Sequence, residues 1–311
     1  MFDELYWGLP VVGYLFLAGV GAGAAVASAA VLLGAGNVGS MRFTIARYGA
    51  LIAPVPVILG TLFIIFELGR PFRALNLFKL INLSPMSIGS WVVGLFIVTS
   101  IAYALTYIPP SARFGDRLDR VRQVLAWLCL PLGFGLAVYT AILLGAMPAR
   151  PFWNSPVIAL LFVLSALSGG IASIILALAI FHRQPGAAAD HEKSMHLLGG
   201  TDAVLLLGEL LVILFFLLFA QLSIGSIKQS VSVILLDGAL AAPFWGLVVT
   251  LGILVPAGME LSKVVPGVIR GKPVRSPRAF EFMAAALILI GGFALRYVVV
   301  VAGQITGPVG I

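Results

Sequence analysis

Residues 10–34 read PVVGYLFLAGVGAGAAVASAAVLLG, an apolar run without a charged residue. A helix that crosses the hydrocarbon core of a bilayer needs about 20 such residues. Glycine and alanine are frequent in this run, and small residues let neighbouring helices pack closely in lipid. We therefore predict a transmembrane helix here and expect it to pack tightly against other helices.

The rest of the chain has the same character. Of its 311 residues, 61% are hydrophobic and 10% are charged, whereas a soluble domain has about 25% charged residues. Apolar runs of about 20 residues predict further spans. Together they give eight, at 10–34, 49–68, 88–108, 124–147, 155–181, 199–222, 237–260 and 279–302. Residues 223–236 fit either an interfacial segment or an extension of their neighbours.

The predicted fold is therefore an all-α integral membrane protein, with residues 1–311 as a single polytopic membrane domain. A faint repeat relates Phe16-Leu17-Ala18-Gly19 to the text that begins at Phe162, at an offset of 146 residues. Four spans separate the two copies, so they share an orientation. This suggests two four-helix bundles, helices 1–4 over about 10–147 and helices 5–8 over about 155–302. Close packing through small residues is the simpler explanation of the same text.

Loop charges predict the orientation. Thirteen of the 19 basic residues fall on one side of the membrane, in the loops after the first, third, fifth and seventh spans and at their borders. The positive-inside rule places that side in the cytoplasm, so both termini face outward. For a prokaryotic chain this means the inner membrane, with the termini in the periplasm. The net charge of +7 is loop charge and does not point to a nucleic-acid partner.

Metal ligands are few. The chain has one cysteine, Cys129, and three histidines, His182, His191 and His196, in or beside one loop. A transmembrane di-haem site needs axial histidines within the spans, and an iron–sulfur cluster needs several thiolates. We therefore expect neither haem nor an iron–sulfur cluster in this chain.

Ionisable side chains within spans are costly in hydrocarbon and usually mark a functional pathway. Glu209 follows Asp202 by seven residues, which places it on the same helix face about 10 Å deeper. Tyr139 and Arg296 fall in the outer halves of their helices, and Glu67 near the outer surface. Asp202, Glu209, Tyr139 and Glu67 then suit a ladder for proton transfer. Alternatively, Arg296 forms a structural ion pair with Glu209 or Glu67.

Two carboxyls, Asp237 and Glu260, lie at predicted span ends and are expected to be solvated or capping residues. The outer loop after the second span begins Glu67-Leu68-Gly69-Arg70-Pro71 and ends Ser84-Pro85-Met86-Ser87. Its prolines stiffen it, and Arg70 is placed to pair with the Glu67 carboxylate. Such a loop is expected to form a docking or binding element.

These motifs resemble the NrfD/PsrC family, the membrane subunits of polysulfide reductase and related complexes. The resemblance covers nearly the whole chain and rests on these blocks, in chain order: Tyr14 to Gly19, Glu67 to Pro71, Ser84 to Ser87, Tyr139-Thr140, Pro151-Phe152-Trp153, Asp202, Glu209, Gly291 to Tyr297 and Gln304. One departure is the start of the first helix, Asp3 to Gly8, which lacks the Asn/His pair of some redox-active relatives.

The resemblance implies a menaquinone or ubiquinone site near the outer face, beneath a four-cluster iron–sulfur subunit and usually a molybdopterin catalytic subunit. It implies a quinone-binding membrane subunit of a respiratory oxidoreductase, and it leaves room for proton translocation. The implied quinone-binding residues are Tyr139, Glu67, Arg70 and Trp153, and the implied proton-transfer residues are Glu67, Tyr139, Asp202, Glu209 and Arg296. A passive membrane anchor without quinone chemistry and a transporter are the competing functions.

Overall fold

The computed structural model describes residues 7–34, 40–67, 84–108, 115–147, 149–181, 188–223, 225–270 and 277–306. Within these ranges the regular elements are helices, and strands are absent. The helices are α1 (Leu9–Gly34), α2 (Ser40–Ile52), α3 (Pro54–Glu67), α4 (Pro85–Leu105), α5 (Gly115–Gly145), α6 (Pro156–Phe181), α7 (Ala188–Leu222), α8 (Ser226–Val231), a π-helical segment (Ala242–Leu254), α9 (Val255–Arg270) and α10 (Arg278–Ile305).

Eight helical stretches in the described residues are long and apolar enough to cross a membrane, as the sequence predicted. They are Leu9–Gly34, Met41–Glu67, Pro85–Leu105, Arg117–Gly145, Pro156–Phe181, Ser194–Leu222, Ala242–Ile269 and Arg278–Ile305. The second span joins α2 to α3 across a break at Ala53, just before Pro54, and the seventh joins the π-helical segment to α9. The grouping of these spans into two four-helix bundles stays a prediction.

Helices α1 and α6, the two copies of the predicted repeat, lie at the centre and pack against each other. Gly23 and Gly170 mark their crossing, because a Cβ atom on either residue would overlap the backbone of the other helix. Helices α2, α3 and α5 pack around α1, whereas α7 and α10 pack around α6. The small residues of the first span therefore determine how closely α1 and α6 approach each other.

Antiparallel neighbours define two ends of the helix assembly. The end that carries Gly34, Leu105, Gly115, Phe181, Arg270 and Arg278 is called the basic end, and the one that carries Leu9, Glu67, Pro85, Gly145, Pro156 and Ile305 the opposite end. The orientation predicted from loop charge corresponds to a cytoplasmic basic end. All further positions are given relative to these ends.

Several spans extend beyond their predicted bounds at the basic end. Helix α5 starts well before residue 124 because Arg122 is buried, donating from Nη2 to the Thr106 carbonyl over 2.8 Å. Its guanidinium also lies 4.6 Å from the ring centroid of Tyr107, and burial raises the pKa of that phenol. The sequence prediction places the start of this span after Arg122, because a charge usually marks the end of an apolar run. A charged residue that protein neighbours hold, such as Arg122, can instead lie within the span.

The ambiguous stretch 223–236 contains the short helix α8 and a 3₁₀ turn, Ser232–Ile234, and is therefore not an extension of either neighbouring span. Asp237 is exposed beyond it, as expected for a solvated residue. The following π-helical segment shows its wider turn at Thr250, whose hydroxyl donates to the Trp245 carbonyl five residues earlier. This segment crosses α10 where Gly252 meets Gly291.

The close Gly23–Gly170 crossing predicts that a methyl group added at this position destabilises the fold, whereas one added at an open glycine does not. We expect Gly170→Ala to lower the free energy of unfolding by about 1–3 kcal/mol, because overpacking forces the backbones of α1 and α6 apart. Gly246→Ala is the matched control, since a Cβ atom there meets nothing within 4 Å. The melting temperatures of the two purified variants are measured in the same detergent and compared with that of the unaltered protein. Equal melting temperatures for the two variants would contradict the packing described here.

Candidate functional site

Tyr139 and Tyr14 lie together near the opposite end. Tyr139 is 9% exposed, and its ring occupies the space that a Cβ atom on Gly89 of α4 would fill. The Tyr14 side chain of α1 is close enough for the two phenols to interact electrostatically. Within the described residues neither hydroxyl has a hydrogen-bond partner. Two phenolic donors are thus available for a ligand about 7–9 Å inside the helix ends.

Glu67 ends α3 at the same end of the assembly and is exposed. Its carboxyl lies near Gly8, at the start of α1, and forms no ion pair or hydrogen bond with another described residue. Arg70, its predicted partner, lies outside the described residues, as do all of residues 68–83. Glu67 therefore lies closer to the membrane surface than Tyr14 and Tyr139 do.

Trp153 has a well-defined packing position. Its ring stacks on Trp7 with 5.1 Å between centroids, and its Nε1 donates to the Val299 carbonyl over 2.7 Å. Gln304 closes this corner, since its Nε2 donates to the Trp7 carbonyl over 3.0 Å and its Oε1 accepts from the Trp7 amide. Because Trp153 is buried and its indole N–H is used, it ties the segment just before α1 to α10 at the opposite end.

Arg296 lies between α1, α6 and α10 and is 1% exposed. Its guanidinium donates to the Ser165 hydroxyl and, over 3.2 Å, to the Phe162 carbonyl, and it lies 4.7 Å from the Phe162 ring centroid. Gly19 makes room for it, because a Cβ there would lie 3.2 Å from Nη2. The residues at the two repeat positions, Gly19 and Ser165, therefore flank the same arginine. These groups hold both terminal nitrogens of the guanidinium, whereas Arg296 Nε has no hydrogen-bond partner among the described residues.

Glu209 of α7 is buried on the same side. Its carboxyl lies within electrostatic range of Arg296 and beside the Ser165 hydroxyl, but the described ion pairs do not include a direct contact of 4 Å or less between Glu209 and Arg296. The predicted ion pair is therefore an indirect one, with Ser165 between the two charged groups. Glu67 lies at the opposite end and is not the partner.

Asp202 is 0% exposed and faces α6, where Ser168 is its nearest polar neighbour. Among the described groups neither carboxyl oxygen of Asp202 has a hydrogen-bond partner, and neither does Ser168 Oγ. Glu260 is 3% exposed, so its assignment as a solvated or capping residue is wrong. The seventh span continues past it because the Glu260 side chain turns inward onto α7, against Gly199.

The predicted ladder is thus divided into two groups. Tyr139 and Glu67 lie with Tyr14 among α1, α3, α4 and α5, whereas Asp202, Glu209 and Arg296 lie among α6, α7 and α10. The described hydrogen bonds do not connect the groups. Sequence reasoning missed Tyr14, Ser165 and Ser168, because a hydroxyl in an apolar helix is common and carries no charge to single it out.

Metal ligands are not clustered in the part of the chain that the structure describes, where no group of three or more His, Cys, Asp or Glu side chains is placed to hold a metal ion. Near the opposite end, Tyr14, Tyr139 and Glu67 instead supply two hydroxyl donors and a carboxyl. These groups suit hydrogen bonds to the carbonyl oxygens of an organic ligand.

A profile of the family described as "Polysulphide reductase, NrfD" matches residues 1–308 of the sequence. The chain belongs to the NrfD family. NrfD-family proteins are membrane subunits of respiratory oxidoreductase complexes, and the eight apolar helices described above make this member a multi-pass membrane protein.

Individual relatives match over nearly their full length. The sequence is 30% identical to one of the chains of polysulfide reductase from Wolinella succinogenes, over 97% of this protein and 96% of that one. It is also 30% identical to protein NrfD of Escherichia coli, over 98% of this protein and 97% of that one. A homologue of NrfD from Haemophilus influenzae is 27% identical over 97% of this protein and 96% of its own length.

The buried Arg296–Ser165–Glu209 group predicts non-additive mutations. We expect Arg296→Leu to lower the free energy of unfolding by about 3–5 kcal/mol, because it leaves Glu209 as an unpaired buried carboxyl. The double variant Arg296→Leu/Glu209→Leu should recover part of this loss. Arg278→Leu, an exposed position on the same helix, should change stability by less than about 0.5 kcal/mol. Thermal denaturation in detergent gives all these values, and strictly additive losses would argue against the coupling.

Proposed function

We propose that this chain is the quinone-reactive membrane subunit of a respiratory oxidoreductase, exchanging electrons between the membrane quinone pool and a partner iron–sulfur subunit. The observation that carries the proposal is the pair of phenols, Tyr14 and Tyr139, whose hydroxyls have no described partner at the opposite end of an apolar bundle. A quinone ring presents two carbonyl acceptors on an apolar body. Menaquinone and ubiquinone both meet this description.

The fit of a quinone rests on three features of this end. The Tyr139 ring is held against Gly89, so its hydroxyl is positioned by packing and donates to one carbonyl. Tyr14 supplies the second donor at the same depth. Glu67 is exposed beside the start of α1, where its carboxyl exchanges protons with water. A bound quinone would accept or release two electrons and two protons there.

Arg70 and Trp153 complete the proposed quinone-binding set. Arg70 follows Glu67 by three residues and would hold that carboxylate by charge. Trp153 acts through its packing, because its indole N–H is already bonded to Val299 and its ring supports Trp7. We therefore assign Trp153 to the wall of the site, where it fixes α1 relative to α10.

The partners follow from the family and from the position of the proposed site. The relative from W. succinogenes is named as one chain of polysulfide reductase, which supports an assembly with further subunits here. A four-cluster iron–sulfur subunit docked over the opposite end, with a molybdopterin subunit beyond it, would bring a cluster close to the tyrosines. This arrangement requires both termini on the periplasmic side of a prokaryotic inner membrane, in agreement with the loop charges.

Proton transfer is the second part of the proposal. Glu67 and Tyr139 serve the quinone from the opposite end, while Asp202, Glu209 and Arg296 offer a separate route through the α6–α7–α10 side. Ser165 joins Glu209 to Arg296 within that route. Carboxyls and hydroxyls in such a series can pass protons along intervening water.

Tyr139→Phe tests the quinone site against the passive-anchor alternative. We expect quinol-driven reduction of the partner clusters to slow about 100-fold, because the hydrogen bond that Tyr139 would donate to the developing quinone carbonyl is lost without a change in shape. Mixing a short-chain quinol with the oxidised complex and following cluster absorbance measures this without a known terminal substrate. Glu67→Gln should slow the same step.

Tyr103→Phe is the matched control. This tyrosine is buried near the basic end, where its hydroxyl lies 3.1 Å from those of Ser28 and Tyr107, and its loss should leave cluster reduction unchanged. An assembled Tyr139→Phe complex with the cluster-reduction rate of the unaltered protein would favour a passive anchor.

A further inference from the structure

Three charged side chains meet at the basic end of α7, α9 and α10, in a position that the proposed function does not use. Glu260 and Glu281 are both buried. Lys263 Nζ lies 3.8 Å from Glu260 Oε2 and 4.3 Å from the centroid of the Phe280 ring. Glu281 is within electrostatic range of both. We refer to Glu260, Lys263 and Glu281 as the entrance cluster.

Burial of two carboxyls and one ammonium is costly in an apolar bundle, even when they are partly paired. A helix of this length could present those charges to water at the basic end, as Arg278 does. The fold instead turns Glu260 toward α7, where its carboxyl fills the space that a side chain at Gly199 would need. Such an inward charge in a membrane span is typical of a transport or proton pathway.

The entrance cluster leads directly to Asp202. Gly199 and Asp202 are three residues apart on α7, so they lie on the same helix face, about one turn apart. Because the Glu260 carboxyl contacts Gly199, it lies on that face and interacts electrostatically with Asp202. Asp202 is the next group inward from the basic end.

Asp202 supplies an independent observation. Both of its carboxyl oxygens are fully buried, and neither has a partner among the described protein groups; the same holds for Ser168 Oγ opposite. A buried carboxyl whose neighbouring donor, the Ser168 hydroxyl, does not reach it with hydrogen-bond geometry is uncommon, since its desolvation is costly when no hydrogen bond compensates for it. These atoms are therefore suited to bind water or a proton between Glu260 and Ser168.

The series continues toward the middle of the membrane. Helices α6 and α7 are antiparallel, so moving from Asp202 to Glu209 on α7 corresponds to moving from Ser168 to Ser165 on α6. Ser165 lies beside Glu209 and accepts a hydrogen bond from Arg296. Polar groups thus follow one another from the entrance cluster to the buried arginine.

We propose that the entrance cluster is the basic-side mouth of a proton pathway, with Glu260 as the group that takes up the proton and Asp202 as its first acceptor. Water at the basic end gives a proton to the Glu260 carboxylate. Glu260 passes it through a bound water molecule to the Asp202 carboxylate and is then ready to take up another. Only protons move, so the step needs no oxidant or reductant. Lys263 is a positioning residue, because its charge holds the Glu260 side chain inward.

The first test measures water access and does not depend on the proposed quinone chemistry. Glu260→Cys is introduced into the full chain, whose single native cysteine, Cys129, is buried. A charged, membrane-impermeant thiol reagent is then applied to vesicles of both orientations. We expect labelling from the basic side only. Ser262→Cys is the control: Ser262 lies two residues nearer the basic end but is exposed on the outside of the bundle, so it should face lipid and label more slowly.

Labelling of Glu260→Cys that is no faster than that of Ser262→Cys, or that comes from the opposite side, would overturn the proposal. If the Glu260 variant does not assemble, Lys263→Cys is labelled instead, since Lys263 lies in the entrance cluster on the basic-end side of Glu260. It should also label from the basic side.

The second test measures the proton itself in the assembled complex in sealed vesicles, and it is the part that rests on the proposed function. We expect Glu260→Gln to slow quinone-linked proton uptake from the basic side by about 100-fold and Glu260→Asp to restore much of it. Glu192→Gln, a carboxyl change elsewhere on α7, is the control and should have no effect. Normal uptake in Glu260→Gln would contradict the pathway. If the unaltered complex shows no quinone turnover at all, the proposed function fails, while the labelling result still decides whether the entrance exists.

Discussion

A guanidinium inside an apolar bundle must be held by protein groups, because the lipid chains provide no hydrogen-bond acceptor and no counter-charge. Arg296 meets this requirement with the Ser165 hydroxyl, the Phe162 carbonyl and ring, and the nearby Glu209 carboxyl. These partners come from α6 and α7, and Gly19 of α1 leaves the necessary space. One buried cation therefore links α10 to α6 and α7, and α1 accommodates it at Gly19.

The same central pair of helices separates two kinds of chemistry. On one side, Tyr14, Tyr139 and Glu67 gather near the opposite end, where hydroxyl donors lie free in an apolar setting. On the other side, acidic groups run inward from the basic end through Asp202 to Glu209. The proposed electron exchange at the opposite end and the proposed proton uptake at the basic end are thus placed on different sides of the central helix pair. Helix α1 contributes to both sides, with Tyr14 on one and Gly19 on the other.

The spans themselves could be predicted well from the sequence, because an apolar run of 20 or more residues has few alternatives to a membrane helix. The residues at which the spans end on the basic side could not be predicted in this way. Arg122 and Glu260 each suggested a boundary, yet both side chains are buried within spans, where neighbouring helices hold them. Whether a charge faces water or protein depends on tertiary packing, which a count of charges does not contain.

The candidate site was predictable to a similar degree. Asp202, Glu209 and Arg296 stood out because charges are rare in spans, and the structure gathers them on one side. Their separation from Tyr139 and Glu67 was not predictable, since depth along a helix says nothing about which neighbours that helix has. Tyr14 and Ser165 carry no charge and became significant only through their contacts.

A quinone bound between Tyr14 and Tyr139 would lie within crosslinking distance of α1 and α5. The decisive experiment is photo-crosslinking of the assembled complex with an azido-quinone, followed by peptide mapping. We expect adducts on the α1 and α5 peptides that contain Tyr14 and Tyr139, and protection of both by excess unmodified quinone. Protectable adducts confined to other helices, such as α7, with none on these two peptides, would contradict a quinone site between the two tyrosines.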